Sequence, residues 1–280
     1  MISRGGVMGN ESFRYDGKRV LVVGGATGMG AAAARQVASL GAAVVVMDHV
    51  PVEGFESIVV DLRDKGQIDA AITQCGGKVD ALFSCAGVAD GTPGIEKINF
   101  IGHRHMIDQM IAKGMLGAGS SITMISSAAG LGWESNLETV RAFCDTSDFE
   151  EAAAWMEANP SNAHYMFTKQ ALCYYVAAQA YAMGKLGIRI NAICPGPTDT
   201  PLARANEELW LSFGSDYREE IGVTASSPEE QGDVMAFLGS HAARYISGQT
   251  IIVDAGLVGA GLTDTYASAA PIVKFLYGRP

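Results

Sequence analysis

The sequence predicts a single α/β domain, a Rossmann-type doubly wound parallel sheet of about seven strands, and three observations predict it. Short β-branched runs alternate with helical stretches along the chain, a Gly-rich turn links the first run to the first helix, and no repeat or long linker interrupts the alternation. The 280 residues suffice for one large core, and 48% hydrophobic residues with 34 glycines suit a compact fold with many tight turns.

The strands read in order as "RVLVVG", "AAVVVMD", "SIVVDL", "ALFSCAG", "SITMISS", "RINAICPG" and "TIIVDAG". Too few residues separate the second and third for a crossover helix of ~10 to 12 residues, so this connection is expected to be a loop. Residues 1–16, polar and Gly-rich, read as a flexible leader in which Met8 is a second candidate start, and 17–257 as the one folded domain. Residues 131–163 read as a helical insert between the fifth strand and the helix of Tyr165. Ser135 with Glu138, and Ser147 with Glu150, each match an S-x-x-E capping box. Phe149, Ala152, Ala153 and Met156 mark the buried face of the second insert helix, which Asn159-Pro160 stops. Residues 201–225 read as a substrate flap and 258–280 as a C-terminal tail that packs on its own subunit or over a neighbour's site.

A net charge of -10 and a pI near 4.9 disfavour nucleic acid as a partner. The apolar runs fall short of the ~20 residues that span a bilayer, and "MISRGGVMGN" lacks the apolar core of a signal peptide, so no membrane and a cytoplasmic location are expected. Cys75, Cys85, Cys144, Cys173 and Cys194 show no CxxC spacing, which argues against disulfides and a zinc site. "HRH" at His103 and His105 places its rings on different sides of a helix, and no metal is expected.

In "VLVVGGATGMGAAAARQVASLGAAVVVMD", Gly24, Gly28 and Gly30 let a turn tighten so that backbone N–H groups reach a pyrophosphate at a helix N-terminus, with Thr27 and Met29 between them. Asp48 ends the next strand, where a carboxylate accepts from the adenine-ribose hydroxyls and repels a 2′-phosphate. Thr27 stands in a turn without a basic residue, so NAD rather than NADP is expected. Tyr165 and Lys169 lie at (i, i+4) on a helix, a pairing that taken alone is ordinary helix surface.

Taken together, these motifs resemble the short-chain dehydrogenases/reductases, from about Val20 to Gly256. "GGATGMG" is similar to the family's cofactor turn, with Val23 where a Thr is usual. "SCAG", bringing Cys85, Ala86 and Gly87, stands where the family has N-N-A-G and departs at two positions. Asp61-Leu62 resembles the acidic pair beside the adenine. "INF" brings Asn99, "ISSAAG" brings Ser127, and "YMFTK" brings Tyr165 and Lys169. "CPGPTDT" resembles the turn at Pro195-Gly196 whose threonines, here Thr198 and Thr200, touch the nicotinamide carboxamide. The short second crossover, "CAG" and the long insert look most like the 3α-hydroxysteroid dehydrogenase/carbonyl reductase branch.

The resemblance implies Tyr165 as acid/base, Lys169 as the charge that favours its phenolate and grips the nicotinamide ribose, and Ser127 as the hydroxyl holding the substrate oxygen. Which of Ser126 and Ser127 acts is a matter of register. Asn99 would fix a helix and a water chain from Lys169 to solvent; an ordinary buried amide is its other reading. The implied reaction is secondary alcohol plus NAD to ketone plus NADH, with a bulky apolar substrate expected from Leu202, Leu209, Trp210, Leu211, Phe213 and Tyr217 in the flap and Trp133 beyond Ser127. Packing of those side chains on the sheet is the plainer alternative. Rival readings are a reductase of acyl thioesters or small carbonyl compounds, and a catalytically silent NAD-binding sensor or scaffold. A homodimer or homotetramer is expected, pairing through the long helices after strands four and five.

Overall fold

The computed structural model describes residues 11–278. Among them the first half comprises β1 (Arg19–Val23), α1 (Gly28–Ser39), β2 (Ala43–Asp48), β3 (Glu56–Val59), α2 (Lys65–Cys75), β4 (Ala81–Ser84), α3 (Gly102–Ala112) and β5 (Ser121–Ile125). The second comprises α4 (Leu137–Cys144), α5 (Phe149–Ala158), α6 (Tyr165–Lys185), β6 (Arg189–Pro195), α7 (Pro201–Arg204), α8 (Glu207–Trp210), α9 (Ser215–Ile221), α10 (Pro228–Gly239), β7 (Gln249–Val253), α11 (Leu257–Leu262) and α12 (Ala270–Leu276). The seven strands are all parallel, in the order β3-β2-β1-β4-β5-β6-β7. β2 passes to β3 without a helix. The order reverses at β1, which pairs with β2 on one side and β4 on the other, so a crevice opens at the carboxyl ends of β1 and β4.

Side-chain alternation explains why β1 must be central. Leu21 and Val23 enter the core on one face of the sheet, with Phe100, Phe143 and Phe167, while Val20 and Val22 enter the core on the other, with Ala33, Val37 and Met235. Each such aliphatic side chain, fully withdrawn from water, contributes about 1.5–3 kcal/mol. On the second face the small residues of α1 let α10 approach closely: Gly232 abuts the backbone of Ala32 and Ala33.

The 131–163 insert contains helices, but their caps differ from expectation. Ser135 does not cap α4; its Oγ donates to Gly132 O at 2.7 Å because a 3-10 turn, Trp133–Asn136, precedes the helix. Asp148 rather than Ser147 caps α5, its carboxylate accepting from Glu151 N at 2.9 Å while Glu151 Oε2 accepts from Ser147 N at 2.6 Å. The carboxylate of Asp148 thus takes the place of the Ser147 hydroxyl as the cap, and the reciprocal bond of a capping box falls on Ser147 N rather than on the N-cap residue. Phe149, Ala152, Ala153 and Met156 are buried as the periodicity predicts. The buried Arg104 on α3 fastens the insert, donating to the carbonyls of Cys144, Thr146 and Asp148 at 3.3, 3.1 and 2.6 Å.

Of the 1–16 leader, residues 1–10 lie outside the described residues; Glu11–Phe13 form a 3-10 turn, and Tyr15 is buried with its hydroxyl donating to Ala236 O at 2.6 Å. Residues 201–225 are not one helical flap but three short helices, α7–α9, interrupted at Gly214, whose φ of 65° places it in the left-handed region. The tail packs on its own subunit: Ala269 and Val273 join Ala128, Leu131 and Leu257 in a third apolar cluster beside the carboxyl end of β5.

Candidate active site

The crevice at the switch point is a cleft of about 580 Å³ lined by the Gly-rich turn, Asp48, Asp61, Leu62, the Cys85–Gly87 turn and Thr200. That volume lies within the range of small-molecule sites. Gly24 has a φ of 84°, and a Cβ there would strike the backbone of Ala86; one on Gly30 would strike the Gly24 carbonyl. Thr27 precedes α1 in an extended conformation, so the first N–H groups of α1 face the cleft without a side-chain cap, a fit for a pyrophosphate. Asp48 closes the floor, accepting from Ala26 N at 2.9 Å and meeting His49 Nδ1 at 2.7 Å.

Tyr165 opens α6, with its backbone N–H donating to Asp90 Oδ1 at 2.6 Å and His164 capping the helix through Phe167 N. One turn on, Lys169 is buried at 3% exposure, its Nζ 5.4 Å from the Tyr165 ring centroid and donating to Ile125 O at 2.9 Å. The Ser127 hydroxyl accepts from Ala129 N at 3.1 Å and lies near enough to the Tyr165 phenol to favour its ionised form. Ser126 turns inward, donating to Lys169 O at 2.9 Å, so Ser127 is the serine that faces the phenol. Asn99 sits in a π-helical turn, Lys97–Ile101, accepting from Val88 N at 2.8 Å and donating to Thr168 Oγ1 at 3.2 Å. A Cβ on Gly87 would lie 3.5 Å from both Asn99 Oδ1 and Lys169 Nζ, which joins this cluster to the cleft.

Burial governs the charges. It pushes the Tyr165 phenol up to about 12, against the opposing effect of Ser127, and pulls the Lys169 ammonium down to about 8. At neutral pH the phenol is thus un-ionised and the ammonium mostly charged, and a positive charge placed nearby would favour the phenolate.

Several residues lie elsewhere than the motifs suggest, and others went unsignalled. Thr198 points away to Ser226 Oγ at 3.1 Å and to Gly196 O, whereas Thr200 caps α7 and lines the cleft. Pro195 ends β6, and Gly196 follows it with its N–H donating to Val253 O at 3.0 Å. Arg63 is a basic residue in the cleft that the turn-based reading passed over, and Asp61 neutralises it with bonds of 3.0, 3.1 and 2.6 Å. Asp90 had no signal, since its partner is a backbone N–H 75 residues away. Trp210 lies against Tyr165 with ring centroids 4.9 Å apart, while Trp133 packs on Tyr174 and Tyr217 donates to Ala255 O. A larger cavity of about 940 Å³ opens at the amino ends of β4–β6, where Tyr15, Ser120 and Arg189 are already bonded to carbonyls.

Comparison with known proteins gives this arrangement a family. A family model described as enoyl-(acyl carrier protein) reductase matches residues 151–258. Over 252 residues the chain is 31% identical to a coniferyl-alcohol dehydrogenase of a Pseudomonas species, covering 86% of this chain and 96% of that protein. The chain belongs to the short-chain dehydrogenase/reductase family. Another family member, the 3-alpha-hydroxysteroid dehydrogenase/carbonyl reductase of Comamonas testosteroni, is 27% identical over 246 residues, covering 85% of this chain and 95% of its own. The structure of a 3-alpha-hydroxysteroid dehydrogenase from Pseudomonas sp. B-0831, complexed with NADH, aligns with a TM-score of 0.71 at 23% identity over 89% of this chain and 99% of that one. That likeness concerns the fold. Family membership makes the protein an oxidoreductase. Among the described residues no helix is long and apolar enough to cross a membrane, and no group of three or more metal-ligating side chains gathers.

Proposed function

We propose that the protein is an NAD-dependent short-chain dehydrogenase that interconverts a secondary alcohol and a ketone, on a bulky apolar substrate such as a hydroxysteroid or cyclic alcohol. The observation that carries this reading is the joining of two parts: a phenol flanked by Ser127 and Lys169, and a Gly-rich crevice of about 580 Å³ that reaches them through Gly87.

The Gly24–Gly30 turn and the start of α1 would hold a pyrophosphate, and Asp48 the adenine ribose, with Asp61 and Leu62 beside the adenine. Asp48 favours NAD, because its carboxylate repels a 2′-phosphate and the nearby Arg63 is already paired with Asp61. The nicotinamide, when bound, accepts or supplies the hydride. During oxidation the ionised Tyr165 takes the hydroxyl proton of the alcohol; during reduction the neutral phenol returns it to the ketone oxygen. Lys169 supplies the positive charge that lowers the cost of the phenolate. Ser127 holds the substrate oxygen as charge develops on it. Trp210 forms an apolar approach to Tyr165, consistent with a bulky substrate, and the named activities of the relatives concern coniferyl alcohol and hydroxysteroids.

A reductase of acyl thioesters or small carbonyl compounds is the second reading, favoured by the description of the matching family model. Five free cysteines suit work in the reducing cytoplasm. The test is reduced-nucleotide formation with NAD or NADP across steroid, terpenoid, cyclic and aryl alcohols, and its reverse with acyl thioesters. Turnover with NAD and bulky alcohols supports the first reading; turnover confined to thioesters supports the second. Stoichiometric NADH binding with no turnover in either direction contradicts both and leaves a silent nucleotide-binding protein.

A further inference from the structure

The three residues of "HRH" in α3 make three unrelated contacts. His105 meets Asp69 Oδ1 at 2.8 Å and stands edge-on to Phe149, and Arg104 fastens the insert. His103 stands behind the Cys85–Gly87 wall of the cleft, bonded to Ala86 O and Ser84 Oγ. We propose that His103 is a positioning residue for the nucleotide: its two ring nitrogens hold the Ser84–Gly87 turn, one wall of the cleft, at the distance from Lys169 and from the Gly-rich turn that the cofactor requires. The proposal rests on the cofactor reading given above.

The geometry fixes the tautomer. His103 is 2% exposed, with Nε2 2.9 Å from Ala86 O and Nδ1 2.5 Å from Ser84 Oγ. A carbonyl only accepts, so Nε2 carries the proton; Nδ1 is then bare and accepts from the Ser84 hydroxyl. Both nitrogens are spent on the same four-residue turn. Burial also holds the ring down at about 4, so this neutral form persists at working pH.

The turn has no slack elsewhere. The N–H groups of Cys85 and Ala86 both reach Val23 O, at 2.8 and 2.9 Å, and Gly24 presses against Ala86 from the phosphate side. On the far side Gly87 sits against Asn99 and Lys169. A side chain that could not bond at position 103 would leave the Ser84 hydroxyl and the Ala86 carbonyl seeking other partners, and the turn would shift in the cleft.

NADH binding, followed by fluorescence titration, tests this without reference to any substrate. His103→Leu is expected to weaken NADH by about tenfold or more, which corresponds to about 1.4 kcal/mol. The nucleotide KM rises more than the alcohol KM or the fall in kcat. Ser84→Ala weakens NADH by a smaller factor, and His103→Gln, which keeps a donor and an acceptor, recovers most of the affinity. NADH affinity within twofold of wild type in His103→Leu, with only the melting temperature lowered, would make His103 a core residue and overturn the proposal. Should His103→Leu fail to fold, unchanged affinity in Ser84→Ala overturns it equally. A wild-type protein that binds neither NADH nor NADPH contradicts the cofactor reading itself, and this outcome is seen before any variant is compared.

Discussion

At Lys169 the needs of chemistry and of stability have opposite signs. Burial lowers its pKa from 10.5 to about 8, so the unfolded chain binds this proton more tightly than the folded one. The cost, about 3 kcal/mol by the size of that shift, is full below pH 8, shrinks as pH rises, and is gone above the unfolded value. Lys169→Met is therefore predicted to raise the melting temperature at pH 7 while removing turnover, with the gain fading toward pH 10.5. Tyr165, raised to about 12, contributes stability below pH 10 that is lost only above it, outside this window. A variant less stable than wild type at pH 7 would contradict the sign. At Asp48 the prediction concerns selectivity. Asp48→Ala loses both the repulsion of a 2′-phosphate and the bond to Ala26 N, so the preference for NAD over NADP should fall by about tenfold or more in kcat/KM. Unchanged discrimination would place the ribose elsewhere.

The insert shows how an element can be legible in outline and misread in detail. Its second helix follows from the spacing of Phe149, Ala152, Ala153 and Met156, a local pattern. Its caps do not, because "TSD" offers three adjacent cap formers, and the chain direction set by Arg104 selects Asp148. The same distinction runs through the site. Gly24, Gly30, Asp48, Tyr165 and Lys169 are readable since each acts within a strand–turn–helix or one helical turn. Asp90, His103 and the turning away of Thr198 depend on partners distant in sequence or on the opposite element, where no local pattern exists. Arg104→Ala should test the insert's anchor. Three carbonyls lose a buried donor, so stability should fall by about 2–4 kcal/mol in denaturant unfolding. A loss under about 0.5 kcal/mol would show that the insert holds its place without it.

On the scale of the whole molecule the seven-stranded parallel sheet is the most legible feature, because parallel strands buried on both faces demand continuous apolar runs, while their order in the sheet is not written in those runs. What such runs cannot specify is which outer face meets another subunit. α4 packs on α6, and Arg104 ties the insert to α3, so the chain itself covers part of the face expected to pair. Tyr181, Leu186 and Tyr245 are strongly exposed. We predict a homodimer or homotetramer by light scattering at micromolar concentration, and a 29.3 kDa monomer would contradict it. The measurement closest to the central claim compares wild type with Tyr165→Phe in two readouts, NADH affinity and alcohol turnover with NAD. Affinity is expected to stay within about threefold and turnover to fall by about 10²–10⁴, the contribution of a positioned acid/base. Turnover retained at more than a tenth of wild type would remove Tyr165 from the chemistry and, with it, the reaction assigned to this fold.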